Sequence, residues 1–407
     1  MAADRTSTPG KLTPCNSKPI QHHRATGFSL IELMIALTLG LLLTAGMVQL
    51  FSSTKSTFNT NEGFARVQEN GRFAIETLKR ELRPTGDTGF CGGDIRVRNH
   101  LNAACSDFTA SILDRAPITG FEYAGSGSGD TLVLPGNLDP ATVSNNDWAS
   151  DSMTSLPADL AGLVAPGSDV LIMRTAEVLE EVTANGNTPA NANSINLNKN
   201  HGLDPNEIVF ITNCATGADL FQNVQGNTQG TSATSVAAGT ASCSNPGPGN
   251  IGLNWSTSYD ESMQIFRQRV RAFFIGLNAN GEPGLFQRRL FVGGSTPPPE
   301  EIVAGVENMQ VLYGFSNQGA SGGDGQSVDA WVAADQIPDG GFGQVVAIRI
   351  TLMLRSPDLA DGDRSDQDFQ MFSEDDFTFT LSTTGDGRIR QPFSTTIALR
   401  NQMLVVD

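Results

Sequence analysis

Arg24-Ala25-Thr26-Gly27-Phe28-Ser29-Leu30-Ile31-Glu32-Leu33 joins a basic, glycine-ended leader to a long apolar run. Residues 28–51 are apolar or small except for Glu32 and Gln49. At about 1.5 Å rise per residue, such a run suits a bilayer core about 30 Å thick, so a membrane-spanning helix is expected. A secretory signal peptide has a shorter apolar region followed by its cut site. Here the basic segment 1–27 comes first, and the expected cut after Gly27 leaves the apolar run on the mature chain.

Glu32 needs an explanation. An ionisable side chain inside a spanning helix costs at least about 2.5 kcal/mol on insertion scales and usually marks a function with a nameable partner. Cleavage after Gly27 would expose the amine of Phe28, mostly cationic at a pKa of about 8. The amine of one chain can neutralise the Glu32 carboxylate of another. In a low-dielectric bundle that pairing sets stagger, because misregister leaves a charge uncompensated. The plainer alternative is a signal anchor whose Glu32 snorkels to the interface.

Charge divides at the same glycine. The first 27 residues hold Arg5, Lys11, Lys18 and Arg24 against Asp4, a net of +3, so the chain's −17 leaves −20 for the remainder. Basic residues ahead of an apolar span stay cytoplasmic, which sends the acidic bulk across the membrane. An acidic body also argues against nucleic-acid binding. Of five cysteines, Cys15 lies in the leader. Cys91, Cys105, Cys214 and Cys243 form an even set suited to disulfides in an oxidising compartment. Of three connectivities, nearest-neighbour pairing, 91 with 105 and 214 with 243, is preferred.

Beyond the span, residues 52–83 read as an amphipathic continuation. Phe64, Val67, Gly71, Ile75, Leu78 and Leu82 recur at spacings of three and four, and Pro84 ends the helix. The head is expected over residues 84–407, and from Cys91 onward strand signals dominate. Candidate strands are 131–134, 169–178, 207–212, 264–277, 285–292, 309–315, 344–355, 377–382 and 394–400. In 344–355, Val346, Ile348, Ile350, Leu352 and Leu354 share a face expected to be core, while Arg349, Thr351 and Arg355 face water. The expected fold is α+β: a long N-terminal helix, transmembrane and then amphipathic, packed on a large antiparallel β-rich head. Segments 213–250 and 316–329, rich in small residues, read as loop insertions.

Catalytic chemistry finds little material. Only His100 and His201 remain after the leader, too few for a His-based triad or metal centre. Gly319-Ala320-Ser321-Gly322-Gly323 matches G-x-S-x-G without the strand-to-helix context that motif needs. The acidic run Asp358, Asp361, Asp363, Asp366, Asp368 lacks the EF-hand offsets and reads as a solvated loop. Arg267, Arg269 and Arg271 form a basic stripe on one strand, expected to meet cross-strand acids. No enzyme activity, cofactor or metal is expected.

Gly27-Phe28-Ser29-Leu30-Ile31-Glu32-Leu33 resembles the prepilin signal of type IV pilins and type II secretion pseudopilins. Further blocks narrow the likeness. They are Gln68-Glu69-Asn70-Gly71-Arg72-Phe73-Ala74, Gly89-Phe90-Cys91, Val306-Glu307-Asn308-Met309-Gln310-Val311-Leu312-Tyr313-Gly314, Val345-Val346-Ala347-Ile348-Arg349-Ile350 and Leu354-Arg355-Ser356. They look like the PilW family of minor pilins, whose secretion counterpart is the minor pseudopilin J; residues 110–260 support no likeness. The resemblance implies that a prepilin peptidase cuts after Gly27 and N-methylates Phe28, and that Glu32 serves subunit assembly. It implies a structural subunit that primes a type IV pilus and sits at or near its tip, supporting twitching motility and adhesion. Implied partners are minor pilins of the PilV, PilX and FimU type, the major pilin, a tip adhesin and the inner-membrane assembly platform. The implied location is the inner membrane with a periplasmic head, then the surface pilus. A minor pseudopilin and a membrane-anchored adhesin or ligand-binding protein are the competing readings.

Overall fold

A computed structural model describes residues 27–85, 97–102, 116–151, 153–203, 206–224, 234–239, 248–252, 254–290, 297–316, 327–357, 359, 366–373 and 377–399. Among the described residues it contains one α-helix, α1 (Leu30–Leu82), unbroken over 53 residues, and then a strand-rich head with a few short 3-10 turns. The chain forms two compact units, the first ending at Lys55 and the second running from Ser56.

In the first unit the helix presents its leucines, isoleucines and phenylalanines outward, with Phe28, Leu41, Leu50 and Phe51 all exposed. It is long and apolar enough to cross a membrane. In the second unit the helix buries Gly63, Val67, Gly71, Ala74, Thr77, Leu78 and Leu82 against the head. That stripe differs from the expected one at its start. Phe64 is 44% exposed and Gly63 takes the inward position, because the head comes too close there for a phenyl ring.

The strands are, in order, β1 (Val97–Asn99), β2 (Ile118–Tyr123), β3 (Thr131–Val133), β4 (Trp148–Ala149), β5 (Val170–Val178), β6 (Ser194–Asn196), β7 (Ile208–Thr212), β8 (Ala218–Gln222) and β9 (Ser235–Ala237). There follow β10 (Gln264–Leu277), β11 (Pro283–Leu290), β12 (Glu300–Ala304), β13 (Val306–Phe315), β14 (Ala330–Val332), β15 (Val345–Arg355), β16 (Gln367–Ser373), β17 (Thr378–Thr383) and β18 (Arg390–Ala398). The largest sheet has nine strands in the order β1-β8-β7-β10-β5-β2-β4, with β11 and β12 continuing from β10. A second sheet runs β14-β13-β15-β18, a third β16-β17-β3, and β6 pairs with β9. Pairing is antiparallel except between β1 and β8 and between β17 and β3.

β10 organises the large sheet. One edge pairs first with β7 and then with β11, while β5 lies along the other. Its two faces serve different cores: Phe273 and Ile275 join the main core with α1, whereas Ala272 and Phe274 join Phe121 and Trp148. A separate core around Trp255, Tyr259, Val209 and Phe221 holds the middle of the chain.

Two expectations need correction. The second face of β15 is only partly wet: Arg349 and Arg355 are partly exposed as expected, but Thr351 and Met353 are buried, and Thr351 Oγ1 donates to the Met371 carbonyl of the third sheet. Within 213–250, β8 is an inner strand of the large sheet rather than part of a loop insertion. Its Ala, Leu and Phe residues at 218–222 are flanked by small polar residues, which hid the strand in low-complexity sequence.

Candidate functional site

At the N-terminal end, Ser29 and Glu32 hold the first turn of α1 reciprocally. The Glu32 N–H donates to Ser29 Oγ (3.2 Å) and the Ser29 N–H to Glu32 Oε2 (3.0 Å). This is a capping box, satisfying two backbone donors that a helix start leaves orphaned. The Ser-x-x-Glu spacing that encodes this box is present in the sequence. Gly27 and Phe28 precede the box, and Phe28 is 87% exposed.

The block beginning Gln68 packs the helix on the head. Asn70 Nδ2 donates to the Ala304 carbonyl (3.2 Å). Gly71 lies against the Phe393 ring of β18 so closely that a β-carbon there would stand 2.4 Å from it. Ala74 is fully buried.

The block 306–314 forms β13, whose polar residues are buried. Glu307 Oε1 accepts from Arg355 Nη1 (2.9 Å), and its Oε2 accepts from Arg390 Nε (2.7 Å). Arg390 also reaches both oxygens of Asp386 (2.7 and 2.8 Å), and Arg355 reaches Glu282. Burial pushes the Asp386 carboxyl up, but the Arg390 hydrogen bonds, the Arg388 N–H and the two guanidinium charges outweigh it and hold it at about 2. The network lines a cavity of about 260 Å³ bounded by residues 134–138 and Thr383. Asn308 and Gln310 both donate to the Gly167 carbonyl. The Asp169 N–H donates to the Met309 carbonyl (2.9 Å). β13 is thereby stitched to the segment leading into β5, joining the second sheet to the first.

The arginine stripe on β10 is paired. Arg269 reaches Glu177 (3.0 Å) and Glu207 (3.1 Å), and Arg267 Nη2 donates to the Gly202 carbonyl (2.9 Å). Arg271 pairs with Glu81 of α1, a link between helix and sheet that sequence spacing does not reveal. His100 is buried, its Nε2 2.6 Å from Asp219 Oδ1. Asp219 also accepts from the hydroxyls of Ser256 and Tyr259. This cluster ties β8 to the loop before β10.

Cys214 is disulfide-bonded, in the turn between β7 and β8. Cys91, Cys105 and Cys243 lie outside the described residues, as do the leader, the Gly89-Phe90-Cys91 block, the Gly319–Gly323 motif and most of the acidic run at 358–368. Among the described residues, no group of three or more His, Cys, Asp or Glu is placed to hold a metal ion.

A methylation-type N-terminal signal, one long apolar helix and a strand-rich head define a pilin-like protein, and residues 22–48 match the model of the prokaryotic N-terminal methylation motif. Residues 272–401, which carry β13, β15 and β18, match the family of Type IV Pilus-assembly protein W, PilW. Over these two stretches the chain is similar to pilin-like type IV pilus-assembly proteins with a prepilin motif, a structural family rather than an enzyme family. No curated protein matches it. Among solved structures, a type IV-like pilin from Thermus thermophilus is 17% identical, over 33% of this chain and 69% of that one, at a TM-score of 0.22.

Proposed function

We propose that the chain is a minor pilin, cut after Gly27, N-methylated on Phe28 and drawn into a type IV pilus by Glu32. The observation that carries this reading is the first half of α1. Its apolar side chains are exposed along the whole length to Phe51, directly behind a methylation-type signal. Such a surface needs lipid before assembly and neighbouring helices after it. The carboxylate of Glu32 caps its own helix through Oε2, and its other oxygen accepts the Phe28 amine of a neighbour. The head is periplasmic while the helix sits in the inner membrane. Cys91, Cys105, Cys214 and Cys243 stabilise the head as disulfides.

The size of the head and its PilW-like strands favour a scarce priming subunit at or near the tip over a bulk shaft subunit. Its neighbours there are other minor pilins, the major pilin and a tip adhesin. Sheared surface pili from a deletion strain test the reading. Pili should be lost or sharply reduced, restored by the wild-type gene, and not restored by Glu32→Ala although that variant is still cleaved. Normal piliation and twitching in the deletion strain overturn the priming role; secretion loss with normal pili would assign the chain to a pseudopilus instead. Full incorporation of Glu32→Ala overturns the charge pairing.

A further inference from the structure

The seam between the two larger sheets holds two acids that no function above uses. Asp169 stands at the entry to β5, and β2 pairs with β5 so that Phe121 faces Val170. Carried one residue further, that register sets Glu122 across from Asp169. The two carboxyls share the sheet face that meets β13. Asp169 is 1% exposed and Glu122 4%.

Their hydrogen bonds differ. Asp169 Oδ1 accepts from the Tyr123 N–H (3.1 Å) in the first sheet, and Oδ2 accepts from the Val311 N–H (2.8 Å) in the second. Its carboxyl is itself a bridge between sheets. Glu122 Oε1 accepts from Ser126 Oγ (2.9 Å), whereas Oε2 finds no hydrogen-bond partner. The hydroxyl of Tyr313, fully buried on β13 against Gly120, is likewise unpartnered.

No cation faces the pair among the described residues. Around Glu122 stand Asp169, Asp335 and the backbone of Ala334, and around Asp169 stand Asp335 and its two backbone donors. On β13, Tyr313 faces both acids, whereas Glu307, the strand's other titratable group, is engaged by Arg355 and Arg390. Arg174 of β5 lies on the opposite sheet face, where Nη1 donates to the Ala116 carbonyl and Thr119 Oγ1. Two carboxylates buried side by side without a cation cannot both be ionised at modest cost.

We infer that the head carries a protonation latch at this seam: a proton held on Glu122 keeps the two sheets joined, and its loss sets two like charges against each other across the joint. Asp169, with a backbone N–H on each oxygen, is the better seat for negative charge, and Glu122 with its bare oxygen is the better seat for the proton. Burial pushes both up, Asp169 to about 8 against the pull of its two backbone donors, and Glu122 well above the carboxylate range with the Asp169 charge adding to burial.

Both folded pKa values lie above the unfolded ones, so the stabilisation is complete in acid and is lost as pH rises towards and through the folded values. The test is the thermal midpoint of the detergent-solubilised full chain between about pH 6 and pH 9. Wild type should lose midpoint steadily as pH rises, and Glu122→Gln, neutral at every pH, should show a flatter profile. A flat wild-type profile, or an equal fall in the variant, overturns the latch. Infrared spectra of wild type decide the matter if the variant fails to fold. At about pH 7, where solvated carboxyls are ionised, the carbonyl stretch of a protonated carboxyl should be present and should vanish on alkalinisation; its absence also overturns the latch.

Discussion

Replacing Glu307 by alanine should destabilise the head by about 3 kcal/mol, through the two guanidiniums it leaves behind. Glu307 is 1% exposed and accepts from both Arg355 and Arg390. Removing one partner of a buried pair costs about 3–5 kcal/mol, because the surviving charge stays desolvated. The lower end applies, since Arg390 keeps Asp386 and Arg355 keeps Glu282. Glu307→Gln, which retains the shape and one acceptor oxygen, should cost about half as much, near the value of a charged hydrogen bond at about 1.5 kcal/mol. Urea denaturation of the full chain in detergent gives both numbers. Adding salt should change the difference little, because a buried network is poorly screened. A loss under about 1 kcal/mol for the alanine variant, the scale of an exposed ion pair, would refute the reasoning and make the network a surface feature.

Three other substitutions test the packing and the electrostatics. Gly63→Ala and Gly71→Ala should differ in sign. At Gly63 a β-carbon meets only ordinary contacts at 3.4 Å or more, so better helix propensity should stabilise by up to about 1 kcal/mol. At Gly71 the Phe393 ring must be displaced, which should cost about 1–3 kcal/mol by melting; equal gains at both sites would show that the ring moves freely. For Asp386, held at about 2 by Arg390 and its neighbours, the folded pKa lies below the unfolded one. Its stabilisation is therefore present above the ordinary aspartate value of about 4 and is lost as pH falls towards about 2. Asp386→Asn should flatten the acid limb of the stability profile, and an unchanged limb would assign that limb to other carboxylates.

The N-terminal signal was legible because it is local: a glycine, an apolar run and one carboxylate within a few residues. The longer strands were legible for a similar reason, since β10 and β15 carry enough consecutive apolar residues to announce themselves. Strands of three residues such as β1, β6 and β9 exist only because a distant partner supplies their hydrogen bonds, and no local pattern encodes that. β8 was missed for its flanks rather than for its own Ala218, Leu220 and Phe221. The second face of β15 reads as wet because Arg349 and Thr351 alternate with aliphatics, and it is so at Arg349 and Arg355 but not at Thr351, which finds its acceptor on the third sheet. Nothing local marks Glu307, Asn308 and Gln310 as buried. Their partners lie some 50 to 140 positions away, at Arg355, Arg390 and Gly167.

The seating of α1 on β18 has a consequence for how the chain comes to be folded. Gly63 rests on Ser356 and Ile389, and Gly71 on Phe393. The helix is synthesised roughly 300 residues before the strand that covers it, Gly71 and Phe393 being that far apart in the chain. A contact of such sequence separation forms late and slowly, since a long loop must close before it is rewarded. Until then Val67, Ala74, Leu78 and Leu82 have no lid, and that apolar stripe is open to other chains. Synthesis of this protein therefore includes an interval in which its long helix is complete and its own head is not yet there to claim it.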